Sequence, residues 1–244
     1  MKKILLVLIS LLACSGAAHA DATLWTYTGT EGPANWGKLS PDYVMCDKGQ
    51  NQSPINIQKA LNTPLARLQI RYTAAGKDIV NNGHSIQVGF AAGNTLTLDN
   101  TRFELQQVHF HAPSENEIEG KSYPLEAHFV HADKQGHYAV IAVMFRIGKA
   151  NPGLAKLWRQ MPGEAGKPTL LKDSFKPVDL LPKSLAYYRY SGSLTTPPCT
   201  EGVRWLVLKN PITASRGQIE AFEKVMKHHN NRPIQPLNAR VVVK

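Results

Sequence analysis

The chain has 244 residues, of which 43% are hydrophobic and 19% are charged, and its formal net charge is +10 at pH 7. A chain of this length can form one large domain, and no internal repeat or linker divides it. Lysine and arginine are scattered and do not alternate with aromatic residues, which argues against a nucleic-acid-binding protein. We therefore interpret the positive charge as a solvated basic surface with a weak long-range attraction for anions.

The first twenty residues are typical of a secretory signal peptide. Residues 1–3 contain two lysines, residues 4–13 are mostly apolar, and Ala-His-Ala at residues 18–20 offers a cleavage site. The apolar run is too short to cross a membrane, so no stable membrane insertion is expected. We predict cleavage after Ala20, a folded domain over residues 21–244, and export to the periplasm. Release from the cell and a lipid anchor on Cys14 are the alternatives.

Removal of this segment would leave two cysteines, Cys46 and Cys199. A lone pair of cysteines in an exported protein favours a disulfide bond. In the chain-entropy model, closing so long a loop stabilises the native state by roughly 4 to 5 kcal/mol. Two buried free thiols are the alternative.

A turn and a short strand are predicted in residues 81–90. Asn-Asn-Gly-His at residues 81–84 is a turn signal, and residues 85–90 alternate as in a β-strand. A histidine in such a turn is expected to be exposed. We therefore predict an exposed His84 imidazole that titrates near the ordinary value of about 6.5.

Two strands that carry histidines come next in the chain. Residues 103–111 alternate large and polar side chains, which predicts a strand with Leu105, Gln107, His109 and His111 on one face. Turn-forming residues at 114–124 interrupt this pattern. Residues 125–131 then predict a second strand that pairs antiparallel with the first.

One histidine of the second strand can join the pair on the first. His128 shares its face with Glu126, whereas His131 lies on the opposite face. Glu126 and Gln107 can then accept hydrogen bonds from outer ring nitrogens, as metal-bound histidines usually require. Three imidazoles with an open fourth position are typical of a catalytic zinc site. The predicted ligands are His109, His111 and His128. Polar histidines without a metal are the alternative.

The rest of the chain predicts a central strand, two helices and a stiff loop. Residues 138–145 are almost continuously apolar, which favours a strand covered on both faces, and residues 153–161 favour a short helix. Residues 215–218 form a capping box that begins a helix with an apolar stripe. In the Leu-Thr-Thr-Pro-Pro loop at residues 194–198, the prolines restrict the backbone and so orient Thr195 and Thr196.

Several of these motifs resemble the metal-binding core of the α-class carbonic anhydrases. They are QVHFH at residues 107–111, SEN at 114–116, EAHFVH at 126–131 and LTTPP at 194–198, and the similarity extends over residues 25–240. The resemblance implies a mainly β (α+β) fold, a single domain around a large twisted, mostly antiparallel sheet with peripheral helices. It also implies a zinc cofactor and the reversible hydration of carbon dioxide to bicarbonate and a proton.

The resemblance assigns three residues to the chemistry. Zinc lowers the pKa of bound water to about 7 in this family, and the resulting hydroxide attacks carbon dioxide. Thr195 matches the residue that accepts a hydrogen bond from the hydroxide, and Glu115 matches the carboxylate to which that threonine donates. His84 matches the residue that carries protons to solvent. Weak hydrolysis of activated esters is an implied side activity.

The resemblance also assigns the walls of the site. The positions that match the apolar pocket for carbon dioxide are Val130, Val140, Leu194, Val203 and Trp205. Thr196 matches a residue that helps to hold bicarbonate, Gln87 a polar cleft residue, and Asn230 a backbone partner of the middle histidine ligand. The Ala-Pro pair at residues 112–113 departs from the Trp-Gly of animal members, which leaves the path of this loop open.

Two other functions are compatible with parts of this pattern. Non-enzymatic binding proteins of this fold lose zinc histidines, whereas this chain retains all three, together with Thr195 and Glu115. A zinc hydrolase of esters or amides would need a general acid or base beside the metal, and the chain lacks a His-Glu-x-x-His motif. Cobalt and iron stay open as the metal. The sequence is compatible with a monomer or a homodimer.

Overall fold

The computed structural model of the chain describes residues 24–244. The predicted signal peptide of residues 1–20 and the alternative lipid site at Cys14 lie outside these residues. Within the range 24–244, no helix is both long enough and apolar enough to cross a membrane.

Strands are more abundant than helices in the described residues. The strands are β1 (Asn56–Ile57), β2 (Gln69–Tyr72), β3 (Gly76–Asn81), β4 (Ile86–Phe90), β5 (Asn94–Leu98), β6 (Thr101–His111), β7 (Glu117–Ile118), β8 (Leu125–Ala132), β9 (Tyr138–Ile147), β10 (Thr169–Leu170), β11 (Tyr187–Ser193), β12 (Glu201–Leu208) and β13 (Ile212–Ala214). The α-helices are α1 (Trp36–Leu39), α2 (Met45–Lys48), α3 (Pro152–Trp158) and α4 (Arg216–Met226).

One large sheet contains most of the strands. Its main order is β10-β3-β4-β6-β8-β9-β12-β11, with β13 beside β9 and with β5 connecting β6 to β2. Neighbouring strands are antiparallel except at β9, which runs parallel to β12 and to β13. The short strands β1 and β7 pair separately, in parallel. The predicted single domain, mainly β with a mostly antiparallel sheet and peripheral helices, is confirmed.

The two histidine-bearing strands lie side by side near the centre of this sheet. β6 pairs antiparallel with β8, as predicted, and places His109 opposite His128 and His111 opposite Glu126. β8 pairs in turn with β9, which is buried from residue 139 to residue 145 and is the predicted central strand. The histidines therefore stand on strands that neighbouring strands support on both edges.

A β-bulge in β6 changes which residues share a face. The register against β8 shifts between Leu105 and Gln107, so one extra residue is accommodated there. The bulge reverses the alternation of side chains, and Leu105 packs in the core with Val108 and Phe110. The prediction that Leu105 shares a face with the histidines was wrong, because a strict period of two does not hold across a bulge.

Two apolar clusters lie on opposite faces of the central strands. The larger cluster faces away from the histidines and is covered by α3 and α4. In it, the Phe110 ring contacts Trp158 of α3 and Phe222 of α4, with ring centroids 5.0 Å and 6.2 Å apart. The smaller cluster lies on the histidine face and includes Val130 and Trp205. The three histidines therefore lie next to the smaller apolar cluster on one face of the sheet, and the larger cluster packs against the other face.

Both predicted helices are present. The side chain of Ser215 accepts from the Gln218 N–H at 3.2 Å and the Gln218 side chain accepts from the Ser215 N–H at 3.1 Å, which confirms the capping box of α4. Helix α3 ends at Trp158, earlier than predicted. Beyond Arg159, the N–H groups of Gln160 and Met161 donate to carbonyls only three positions back, so the chain tightens and leaves the α-helical path.

Cys46 and Cys199 form the predicted disulfide bond. Cys46 lies in α2, and the two cysteines form a small buried cluster with Tyr27 and Trp36. The bond thus joins the N-terminal segment to the loop that contains Thr195. A structural disulfide fits an oxidising compartment outside the cytoplasm.

Candidate metal centre and active-site cleft

Three imidazoles converge on one point on the face of the central strands. One ring nitrogen from each of His109, His111 and His128 lies within 4.8 Å of the others. His111 and His128 are 1% exposed, and His111 Nε2 is buried without a hydrogen-bond partner. A buried nitrogen in this state is costly unless it binds a ligand. A metal ion would satisfy it, and three neutral imidazoles are a donor set that suits zinc.

Acceptors on the outer side orient two of these rings. His109 Nδ1 lies 2.8 Å from Gln107 Oε1, and His111 Nδ1 lies 2.6 Å from the carbonyl oxygen of Asn230. An amide oxygen accepts but does not donate, so each ring must carry its proton on Nδ1. Each Nε2 then keeps the lone pair that a metal requires.

Glu126 supports the third imidazole and the loop after β6. Its Oε1 lies 3.0 Å from His128 Nε2, although the direction of the ring N–H falls short of a hydrogen bond. The carboxylate accepts from the N–H groups of Glu115 at 2.6 Å and Asn116 at 2.9 Å, and from Asn116 Nδ2 at 2.8 Å. Burial raises the pKa of Glu126, and these donors oppose the increase. The path of the loop, which the sequence left open, is thereby fixed.

Burial keeps the three imidazoles neutral. It lowers the pKa of His109 and of His128 well below 6.5, and it also lowers the pKa of His111. The charge that His111 would carry if protonated lowers the pKa of the other two further. Because a metal binds neutral imidazole, the site is ready for a metal at neutral pH.

A second buried carboxylate, Glu115, lies against these rings. Its Oε2 is 3.5 Å from His111 Nε2 and 3.8 Å from His128 Nδ1, and its Oε1 accepts from the Arg232 N–H at 2.8 Å. Burial raises the pKa of Glu115 well above its ordinary value, while the Arg232 N–H and the hydroxyl of Thr195 oppose the increase. The structure therefore brings Thr195 and Glu115 together beside the histidines.

The histidines open onto a cleft with an apolar side and a polar side. The apolar side is a cavity of about 180 Å³ that His109 and His128 line together with Gln107, Val130, Tyr138, Val140, Leu194, Thr195, Thr196 and Trp205. The polar side is a cavity of about 110 Å³ that shares Gln107, His109 and Thr196 with the first and adds His111, Trp25, Tyr27, Asn82, His84, Ser85 and Gln87. The three histidines thus face an apolar side and a polar side of the same cleft.

Known proteins share this architecture over nearly the whole chain. A family model described as eukaryotic-type carbonic anhydrase matches residues 31–244. A carbonic anhydrase of Pectobacterium atrosepticum is 53% identical over 97% of each chain, and one of Neisseria gonorrhoeae is 48% identical over 98% of this chain and 96% of that one. The solved α-carbonic anhydrase of Thermovibrio ammonificans, in complex with the inhibitor sulfanilamide, is 52% identical, with a TM-score of 0.90 over 92% of this chain and 100% of that chain.

The chain belongs to the α-class carbonic anhydrase family. It is therefore an enzyme, and membership of the family implies the reversible hydration of carbon dioxide. Carbon dioxide and bicarbonate are accordingly its small-molecule substrates.

The predicted proton carrier of this α-carbonic anhydrase is less exposed than expected. The His84 ring is half-buried and stacks on the Trp25 ring, with centroids 3.7 Å apart and planes 9° apart. Burial, and to a smaller extent the charge of His228, lowers its pKa below 6.5. The prediction of an exposed imidazole with an ordinary pKa was wrong, because the N-terminal segment folds over the turn.

The pattern of the sequence did not indicate every residue beside the histidines. Val203 is 1% exposed and packs in the same apolar cluster as the cavity residues Val130, Val140 and Trp205, so its place in the pocket stays a prediction. Tyr138 lines the apolar side and Trp25 the polar side, and neither was predicted. Arg232 was also not predicted to belong to the site. It lies two positions after the predicted Asn230, and in the structure it is only 2% exposed. A basic residue gives no signal of burial in a single sequence.

His131 lies on the face opposite the three converging histidines, as predicted. It is fully buried, and its Nε2 lies 2.7 Å from the Tyr72 hydroxyl while its Nδ1 lies 3.2 Å from the Ala139 carbonyl. The carbonyl can only accept, so Nδ1 carries the proton and the Tyr72 hydroxyl donates to Nε2. Burial lowers the pKa of His131 to about 4.

This histidine should make stability depend on pH. Below about 6.5 the unfolded chain binds a proton at His131 that the folded protein does not bind until about pH 4, so stability is lost as pH falls through this window. The full effect is roughly 3 kcal/mol. We expect chemical denaturation of metal-free protein to show a shallower pH dependence for His131→Gln than for the wild type. Equal slopes between pH 6.5 and pH 4 would contradict the assignment.

Proposed function

We propose that this α-carbonic anhydrase hydrates carbon dioxide with zinc held by His109, His111 and His128. The observation that carries the proposal is the convergence of three neutral ring nitrogens, within 4.8 Å of one another, at the floor of the cleft. When bound, zinc supplies Lewis acidity that lowers the pKa of water enough to give a nucleophile near neutral pH. The amide oxygen of Gln107 and the carbonyl of Asn230 keep the rings aimed at that point.

Thr195 and Glu115 are proposed to orient the attacking water. Glu115 is fixed by the Arg232 N–H and lies near the hydroxyl of Thr195. A threonine hydroxyl that donates to a carboxylate can only accept from the nucleophile, so a lone pair of the nucleophile is directed toward the substrate. The two side chains thereby supply orientation without contributing a ligand to the metal.

The apolar side of the cleft is proposed to bind carbon dioxide. The molecule has no net dipole, and it gains from leaving water for a wall formed by Val130, Val140, Leu194 and Trp205. Thr196 lies where the apolar and polar sides meet and offers a hydroxyl to bicarbonate. Bicarbonate, which is charged, would then leave through the polar side of the cleft, which Gln87 also lines.

His84 is proposed to carry the proton that hydration releases. It lines the polar side together with His109, and its pKa below 6.5 leaves the ring neutral and able to accept a proton at neutral pH. Stacking on Trp25 fixes the plane of the ring at this position. The proton can then pass from the interior of the cleft to buffer.

Replacement of this histidine should slow turnover when buffer is scarce. We expect His84→Ala to lower the kcat of hydration by about tenfold to a hundredfold in weak buffer, because the protein then lacks its positioned base. Added imidazole should restore the rate. The exposed His137, changed to alanine, serves as the control and should behave as wild type. An unchanged buffer dependence for His84→Ala would exclude the role.

Hydration and ester hydrolysis measured on one preparation test the proposed function. Stopped-flow assays of the purified protein with known zinc content should show rapid hydration of carbon dioxide and slow hydrolysis of an activated ester as a side activity. Hydrolysis of an ester or amide in the absence of hydration would instead favour a zinc hydrolase. Inactivity toward both by a folded, zinc-loaded protein would favour a binding role. Metal analysis of protein purified without added metal would separate zinc from cobalt or iron.

We also propose that residues 1–20 direct export and that the mature chain begins at residue 21. The basic start, apolar run and small residues of this segment support the proposal, and so does the Cys46–Cys199 disulfide. We propose the periplasm as the destination. The mass of the mature N-terminus would decide between cleavage after Ala20 and a lipid-modified Cys14, and cell fractionation would separate periplasmic from released protein.

A further inference from the structure

Arg232 is a buried cation whose surroundings the proposed chemistry does not explain. Its side chain is 2% exposed and lies over the Trp36 ring, with the guanidinium carbon 5.8 Å from the ring centroid. Among residues 24–244, no carboxylate is within ion-pairing distance of its guanidinium. Burial of an unpaired charge is costly, and it lowers the pKa of Arg232 to about 10. An arginine retained under such conditions needs a structural reason.

The guanidinium is bound by neutral acceptors of one N-terminal segment. Nη1 donates to Gln52 Oε1 at 2.7 Å and to the Ser53 carbonyl at 2.8 Å, and Nη2 donates to the Cys46 carbonyl at 3.0 Å. These three hydrogen bonds fix the path of the chain from residue 46 to residue 53. We call this stretch the anchor segment.

The anchor segment holds the Thr195 loop on both sides. After Thr195, Cys199 is bonded to Cys46 through the disulfide, and its carbonyl accepts from Gln52 Nε2 at 3.1 Å. Before Thr195, Ser193 and Ser53 exchange two hydrogen bonds, each from a backbone N–H to the other hydroxyl, at 2.9 Å and 3.1 Å. The position of the anchor segment therefore determines the position of Thr195.

The backbone N–H of Arg232 binds Glu115, the carboxylate that is proposed to act together with Thr195. The Arg232 N–H donates to Glu115 Oε1 at 2.8 Å, which fixes one oxygen of this fully buried carboxylate. One residue thus contacts Glu115 through its backbone and the support of Thr195 through its side chain. A rigid connection of this kind fixes the distance between two groups that lie on separate loops.

We propose that Arg232 is a positioning residue that sets the Glu115 carboxylate against the Thr195 hydroxyl. This inference rests on the proposed function, in which that pair orients the attacking water. The arginine does not touch the substrate or the metal ligands. Its loss displaces the pair, and a displacement of even about 1 Å in a catalytic constellation can cost up to a hundredfold in rate.

The first test replaces the guanidinium and compares steady-state constants for hydration. We expect Arg232→Met to lower kcat by about tenfold with KM within about twofold, because the lost interaction acts in the transition state. Arg232→Lys, which keeps a charge and donors, should recover part of the rate. Zinc content should equal that of the wild type. The control is Arg240→Met, whose kcat should equal that of the wild type. Arg240 is half-buried and also donates to three carbonyls, those of Leu237, Ser191 and Pro236. Unlike Arg232, it has no connection to Glu115.

A double-mutant cycle separates positioning from general destabilisation. In a Thr195→Ala background, Arg232→Met should lower kcat by less than about twofold, because the pair it positions is already broken. The same tenfold loss in both backgrounds, or no loss in either, would overturn the inference. If Arg232→Met does not fold, Gln52→Leu removes one guanidinium acceptor and the contact with Cys199 and must show the same non-additivity. If Thr195→Ala itself leaves hydration intact, the proposed role of the pair fails first.

Discussion

Removal of the metal should reduce carbon dioxide hydration by at least about a thousandfold, because water without a bound metal is a far weaker acid and gives little nucleophile at neutral pH. Activity should return when zinc is added back. The thermal unfolding temperature should also fall on removal and recover with zinc, since a ligand that binds the native state stabilises it. Hydration assays and thermal scans of one chelator-treated preparation measure both effects.

Replacement of a single ligand provides the matched comparison. His128→Ala removes one ring nitrogen of the group formed with His109 and His111, and it should lose both bound zinc and activity. His137→Ala changes a histidine on an exposed turn and should lose neither. Full hydration activity in a chelated protein that metal analysis shows to be free of metal would contradict the proposed centre.

The second large effect is expected from Thr195→Ala. Loss of this hydroxyl should lower kcat/KM for hydration by about a hundredfold, or about 2.7 kcal/mol of transition-state stabilisation, because the attacking water is no longer oriented. The zinc content should not change, because the group that could hold the metal consists of three histidines and does not include Thr195. Stopped-flow hydration at saturating buffer measures the effect separately from proton transfer by His84.

Two variants of the same loop serve as controls for this experiment. Thr195→Ser keeps the hydroxyl and should retain most of the activity. Thr200→Ala removes an exposed hydroxyl from the same loop, whose backbone carbonyl still accepts from the Leu194 N–H, and should match the wild type. A Thr195→Ala enzyme with undiminished kcat/KM would remove the threonine from the mechanism.

The two buried carboxylates, Glu126 and Glu115, have different surroundings and therefore different roles. Glu126 accepts three hydrogen bonds from the loop that carries Glu115, and it therefore acts as a structural acceptor. Glu115 has one oxygen fixed by Arg232 and directs the other toward His111 and His128. The two carboxylates differ because both oxygens of Glu126 accept hydrogen bonds from this loop, whereas a backbone N–H binds only one oxygen of Glu115.

Local pattern was sufficient for much of this protein. Alternation along β6 and β8 identified the strands, and the parity of β8 separated His128 from His131. The capping box at Ser215 identified the start of α4, and two cysteines predicted one disulfide. These features depend on neighbours a few positions apart or on simple counting, so one sequence contains the information.

The tertiary structure decided what depends on contacts between distant segments. The bulge beside Leu105 reversed a face because strand pairing, not the local alternation, sets the register. Trp25 covered a histidine that a turn signal predicted to be exposed. The contacts of Arg232 with Glu115 and with Cys46 join segments that are 117 and 186 positions apart in the sequence, so no local pattern predicts them. Periodicity shows which way a side chain points along its own strand, but the free energy of packing determines which side chain it meets.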